Sequence, residues 1–124
     1  MEKDLKDLLM RDLCGRLPYH VKVKVWLEDG TTEEGALDLE HNYADVLLDA
    51  FYYNKIKDIK PYLFPLSSMT EEQRKEWLSL MIKDSYGILC PTIESFDYLY
   101  KNHIDIRGFI SMGLANDATG LNIY

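Results

Sequence analysis

His20-Val21-Lys22-Val23-Lys24-Val25-Trp26-Leu27 is the stretch on which the fold turns. Its apolar residues alternate, with Val21, Val23, Val25 and Leu27 on one face and Lys22, Lys24 and Trp26 on the other, which is the pattern of a half-buried strand. Asp29-Gly30 follows as a turn signal, since glycine accepts a positive φ. A second alternating run from about Thr32 to Glu40, with Leu37 and Leu39 inward, predicts an antiparallel hairpin. Beyond His41-Asn42-Tyr43, the run from Ala44 to Phe51 reads as a third strand, with Val46, Leu47, Leu48 and Phe51 as its apolar residues and Asp45 and Asp49 marking a wet face. Ile56 and Ile59, three apart, suggest one helical turn between Asn54 and Lys60. Pro61 and Pro65 bracket Tyr62-Leu63-Phe64 and place any strand there at a sheet edge, where missing donors are tolerated. The expected core of this region is Val21, Val23, Val25, Leu37, Leu39, Val46 and Leu48.

Upstream, Leu5, Leu8, Leu9 and Leu13 form the stripe of an amphipathic helix from about Lys3 to Cys14, stopped by Gly15 and kept from restarting by Pro18. Downstream, Thr70-Glu71-Glu72-Gln73 is a capping box that predicts a helix to about Lys83, burying Trp77, Leu80 and Met81 or their immediate neighbours. Gly87 and Pro91 mark the next connection. Thr92 caps a further helix with Ile93, Phe96, Leu99 and Tyr100 on one face. A last short helix is expected after Asp105 as N-cap, with Ile104 stapled to Phe109; asparagine would cap about as well there. Residues 116–124 read as a loosely held tail. The order predicts an α+β chain of one domain: an N-terminal helix (1–18), a small antiparallel SH3-like or Sm-like β-barrel or meander (19–66), and an extension of two to three helices (67–124). In this picture the sheet curls over its own apolar face and the first helix plugs one open end.

The 124 residues, 47% apolar and 28% charged, have the composition of one soluble globular domain. Cys14 and Cys90 are too few for a disulfide framework and suit a reducing cytosol. No run approaches a membrane span and Met1-Glu2-Lys3-Asp4 lacks a signal-peptide pattern, so a cytoplasmic protein without membrane contact is expected. Twenty-one acidic against fourteen basic residues give a net charge of -7, which opposes unspecific binding to phosphate backbones.

Candidate chemistry is sparse. His20, His41 and His103 are scattered and neither cysteine has a close second, so no metal site is assigned. Cys90 before Pro91 reads as an inert thiol, and the isolated Gly108 and Gly113 make no phosphate loop. His103-Ile104-Asp105-Ile106-Arg107-Gly108 is the densest string: extended, it would align His103, Asp105 and Arg107 as an acid, base and cation cluster. Capping by Asp105 and ion pairing by Arg107 explain it more simply. Residues 31–50 carry Glu33, Glu34, Asp38, Glu40, Asp45 and Asp49 and no lysine or arginine, which suits docking to a basic partner or imitation of a phosphate backbone, although ordinary solubility also explains it. Lys55, Lys57 and Lys60 lie near Tyr43, Tyr52 and Tyr53, a basic and aromatic mixture used by barrels that bind single strands.

The stretch Asp58-Ile59-Lys60-Pro61-Tyr62-Leu63-Phe64-Pro65-Leu66-Ser67-Ser68-Met69-Thr70-Glu71-Glu72-Gln73 resembles a segment recurring in small uncharacterised proteins of Bacteroidales prophages and other mobile elements. Ser95-Phe96-Asp97-Tyr98-Leu99 and His103 to Gly108 are similar to their C-terminal portion, so the likeness spans roughly residues 55 to 115. It implies a bacterial or phage cytoplasmic setting and carries no catalytic, cofactor-binding or metal residue. The leading expectation is therefore a non-enzymatic accessory protein acting on a protein partner through contacts made by its barrel edge and C-terminal aromatic helices. A nucleic-acid-binding barrel is second, requiring Lys22, Lys24, Lys55, Lys57 and Lys60 on one face. An enzyme using His103 with Asp105 is third.

Overall fold

The computed structural model describes residues 3–38, 43–53 and 55–124. The leucine stripe forms helix α1 (Lys3–Arg16), in which Leu9 and Leu13 are fully buried and Leu5 and Leu8 pack on the same core. Gly15 does not stop it. The helix runs on into a 3-10 turn, Leu17–Tyr19, and His20 closes that turn with φ 55°. Gly15 answers a different need, because a Cβ there would lie 2.8 Å from two ring carbons of Tyr100.

Strands β1 (Lys22–Leu27) and β2 (Thr32–Ala36) pair antiparallel, with Lys24 opposite Glu34. Asp29 Oδ1 accepts from the Thr31 N–H and hydroxyl in the turn between them. Val21, Val23, Val25 and Leu37 are buried as the alternation requires. Leu39, Glu40, His41 and Asn42 lie outside the described residues.

Residues Tyr43–Phe51 form helix α2, not a third strand. A short, dense apolar run cannot be told from a buried helix segment by its pattern alone. Val46 and Ala50, four apart, face the core with Leu47 and Phe51, whereas Leu48, expected inside, is 42% exposed and Val46 is only partly buried. In place of the expected helical turn lies strand β3 (Ile56–Pro65). Its register explains the spacing of three: Trp26 pairs with Asp58 but Leu27 with Ile56, so Lys57 is the extra residue of a bulge and both Ile56 and Ile59 reach the core.

β3 is central rather than an edge. The Leu63 carbonyl accepts from Ala118 N–H, while Phe64 N–H donates to the His103 carbonyl. Neighbouring residues of a strand direct their polar groups to opposite sides. Strand β7 (Asn116–Asp117) therefore joins β3 in parallel from one side, and β6 (Ile104–Asp105) joins it in parallel from the other, beyond the end of β1. Pro61 shares the parity of Leu63, so its missing donor faces away from β1, and its pairing with Val23 is the last of that ladder. This is why a central strand tolerates it. The order β2-β1-β3-β6, with β7 on the other flank of β3, is an open sheet among the described residues, not an SH3-like or Sm-like barrel. Its inner face packs on α1, α2 and the turns bearing Phe109, Leu114 and Ala115.

Thr70 and Thr92 cap helices α3 (Glu71–Ser79) and α4 (Ile93–Lys101), each through a reciprocal capping box. α3 stops short of Lys83 because strand β4 (Ile82–Lys83) pairs with β5 (Leu89–Cys90) in a hairpin turned by Asp84, whose Oδ1 accepts from Tyr86 and Ile88 N–H. Trp77, Leu80 and Met81 are only partly buried. The buried face of α4 is Ser95 and Leu99, whereas Ile93 and Phe96, expected inward, are exposed. Leu99 joins Met69 and Ile104 in a second small core with Phe64, Trp77 and Tyr98. No third C-terminal helix follows Asp105; the chain runs through turns to β7, and residues 116–124 return over the sheet instead of trailing free.

Candidate functional site

His103, Asp105 and Arg107 are not brought together. His103 adopts φ 58°, which breaks the alternation that would have aligned the three. Its ring stacks on Tyr124 with centroids 3.5 Å apart and a 12° tilt. Burial, with the positive charges of Arg16 and Lys22, pushes the His103 imidazole down to about 4. It lines a depression of about 460 Å³ with Phe64, Gln73, Lys101 and Tyr124. Burial moves the Tyr124 phenol the other way, up to about 12. A general base works best near the operating pH. Burial thus moves the His103 imidazole and the Tyr124 phenol in opposite directions, each away from pH 7.

Asp105 is buried and its two oxygens accept separately from Phe109 N–H and Ile110 N–H, each at 2.9 Å. The expected capping role is present, but on a turn rather than a helix and with both oxygens used. Asparagine is therefore no longer an equivalent. Asp105→Asn presents an amide N–H to a backbone N–H and is expected to cost about 1–3 kcal/mol, the cost of one unsatisfied buried donor, with Asp105→Ala worse. Urea midpoints decide it; an asparagine variant matching wild type would show that one of the two bonds is dispensable.

Arg107 Nη1 turns instead to Asp12 Oδ1 at 3.3 Å, beside a pair that the sequence did not advertise. Asp12 and Arg16, one helical turn apart on α1, are both fully buried, with Arg16 Nε 2.7 Å from Asp12 Oδ2. Arg16 Nη2 donates to the Ile104 carbonyl at 2.7 Å, and its guanidinium lies 5.0 Å from the Tyr100 ring centre. The i, i+4 spacing was visible; its burial depends on residues 88 positions away.

The lysines divide. Lys22, Lys24 and Lys60 share the outer sheet face, Lys24 opposite Lys60, with the ammonium groups of Lys24 and Lys60 at 5.3 and 5.5 Å from the Trp26 ring centre. Glu34 on the same face lies 3.9 Å from Lys24 and accepts from the Tyr62 hydroxyl. Lys22 is drawn to the C-terminal segment, its ammonium donating to the Ile123 carbonyl and its N–H to the Tyr124 hydroxyl. Lys55 stands over Tyr53, and the Tyr43 side chain lies outside the described residues. Lys57, the extra residue of the bulge, lines a cleft of about 680 Å³ together with Lys6, Lys60, Trp26 and Phe51.

A different surface is apolar. Tyr86, Ile93, Ile82 and Ile88 are 88%, 78%, 64% and 62% exposed, and Leu78, Leu89 and Phe96 are exposed beside them in sequence. Ile82 opposes Cys90, and Ile88 is two residues from Cys90, so both isoleucines project from one face of the hairpin, while Leu89 shares the other with Lys83. The Thr92 hydroxyl donates to the Leu80 carbonyl at 2.6 Å, tying the start of α4 to the end of α3 at the base of this hairpin. Cys90 Sγ lies 3.7 Å from the Ile88 carbonyl, and Cys14, exposed on α1, has its thiol pushed up by partial burial. Among the described residues no group of three or more His, Cys, Asp or Glu gathers to hold a metal ion, and no helix is long and apolar enough to cross a membrane. No protein-family model, no curated protein and no solved structure matches the chain.

Proposed function

We propose that the protein is a non-enzymatic protein-binding module, an accessory component of a phage or other mobile element working in the bacterial cytoplasm. The observation that carries the binding role is the exposed apolar surface of the β4–β5 hairpin and the first turn of α4. Single exposed leucines are ordinary, but a short hairpin bearing Ile82 and Ile88 on one face and Tyr86 at its turn, continued by Ile93 and Phe96, concentrates apolar area that a partner would cover. The likeness of residues 58–73 to prophage proteins supports the setting. A nucleic-acid reading rests on Lys24 and Lys60 around Trp26; Glu34 and Asp58 on that face and the net charge of -7 oppose it.

The test is recovery of bound material from cells that carry the gene, comparing wild type with Ile82→Asp/Ile88→Asp and scoring proteins and nucleic acids together. These exposed side chains leave the fold intact when changed. The expected result is a protein partner retained by wild type and lost by the double variant, with no measurable duplex DNA binding at about 150 mM salt. Partner retention by the double variant removes the hairpin, and salt-sensitive nucleic-acid binding lost on Lys24→Gln replaces the proposal with the second reading.

A further inference from the structure

From the cleft between α1, α2 and the bulged end of β3, we infer a binding site for a small organic anion: a phosphate monoester or carboxylate borne on a ring-sized apolar body. The inference goes beyond the partner-binding reading and uses none of the hairpin residues.

The cleft sets apolar walls against concentrated positive charge. Leu5, Phe51 and Leu114 line it, with Trp26 beside them. Lys6, Lys57 and Lys60 line it against the one carboxylate of Asp58, and Glu28 joins Lys6 and Lys57 in the adjoining depression, so positive charge still exceeds negative by one in a chain whose net charge is -7. The Asp58 carboxylate is engaged by its own backbone, accepting from Ile59 N–H at 2.9 Å. About 680 Å³ is the size of a small-molecule site. A bare inorganic anion would leave Phe51 and Leu5 unused, and a neutral ring would leave the lysines unused.

The local backbone is arranged to this end. In a regular strand Lys57 would alternate with Asp58 and share the inward face of Ile59; the bulge gives that face to Ile56 and leaves Lys57 exposed on the lining of the cleft. Bulges re-aim side chains in this way beside functional sites. Lys60 is oriented by the Trp26 ring, 5.5 Å from its ammonium. Gly113, also on the lining and at φ 73°, leaves open space where a Cβ would stand, with no atom within 4 Å.

Trp26 makes the site observable, because Trp77→Phe leaves it as the chain's one tryptophan. Titration of that variant with phenyl phosphate at low salt is expected to change Trp26 emission saturably. Phenol and inorganic phosphate should each bind about tenfold or more weakly, and so should phenyl phosphate to the Lys57→Gln/Lys60→Gln double variant, each losing a charge-assisted or apolar component. Lys24→Gln, on the sheet face and outside the cleft, should retain the affinity. Amide shifts of Leu5, Phe51 and Leu114 in the unaltered chain give the same readout without any substitution. No saturable change, equal binding of phenol, unaltered affinity in the double variant, or loss in Lys24→Gln would each overturn the assignment. Tighter binding of a single-stranded oligonucleotide with loss in Lys24→Gln would transfer it to a nucleic-acid surface.

Discussion

Replacing Asp12 with alanine is expected to remove about 3–5 kcal/mol of stability, because it strands a buried guanidinium without its counter-charge. Arg16 is fully enclosed and its Nη1 meets no acceptor among the described residues, so only the Ile104 carbonyl and the Tyr100 ring would remain to it. Arg107, also paired to Asp12, would be left facing the same space. A domain of this size has about 5–15 kcal/mol in all, so the variant should be severely compromised at 37 °C. The double change Asp12→Ala/Arg16→Met should be milder than Asp12→Ala alone, since it removes the charge together with the need for a partner. Urea denaturation of the three proteins checks the ordering. A single variant within 1 kcal/mol of wild type would mean that water reaches Arg16 in solution.

Val23→Asp should be more damaging still. Val23 is 4% exposed and sits between Gly35 on one neighbouring strand and Pro61 on the other, with the apolar core beneath it. A carboxylate there gains no partner and loses its water, a penalty of several kcal/mol, enough with the lost valine packing to unfold the chain. Lys24→Gln, one residue along on the outer face, should stay within about 0.5 kcal/mol. Thermal melts followed by circular dichroism separate the two, and a Val23→Asp protein melting within a degree or two of wild type would reverse the register of β1.

What the sequence displayed well was local. The α1 stripe, the β1 alternation and the two threonine caps each depend on residues within one or two turns of one another, and each is present. The failures share a different cause. One inserted residue, Lys57, made the inward isoleucines of β3 look helical, and Pro61 looked like an edge marker because the side on which its donor is missing depends on partners from residues 104–117. α2 was ambiguous by composition. In α4 the buried position went to Ser95, whose hydroxyl closes the cap through Thr92 N–H and the Thr92 carbonyl, while larger apolar side chains faced out. Site residues were hardest. Lys57 and Lys60 stand out in the sequence by their charge, but Lys6 and Phe51 join them on the cleft lining from two helices, a convergence that no local spacing encodes.

The parallel flanks of β3 also set an order of events during synthesis. Leu63 has no strand to pair with on that side until Ala118 has been made, roughly 50 residues later, or several seconds at about 5–20 residues per second. Through that interval β1, β2 and β3 present a half-built sheet whose flank is the kind of template on which chains pair wrongly. The flank is poor in donors where it is longest exposed: Pro61 has none to offer, and the N–H of Ile59 is already taken by Asp58. The same features that seemed to contradict a central strand guard the nascent chain against pairing with a neighbour before its own C-terminal strand arrives.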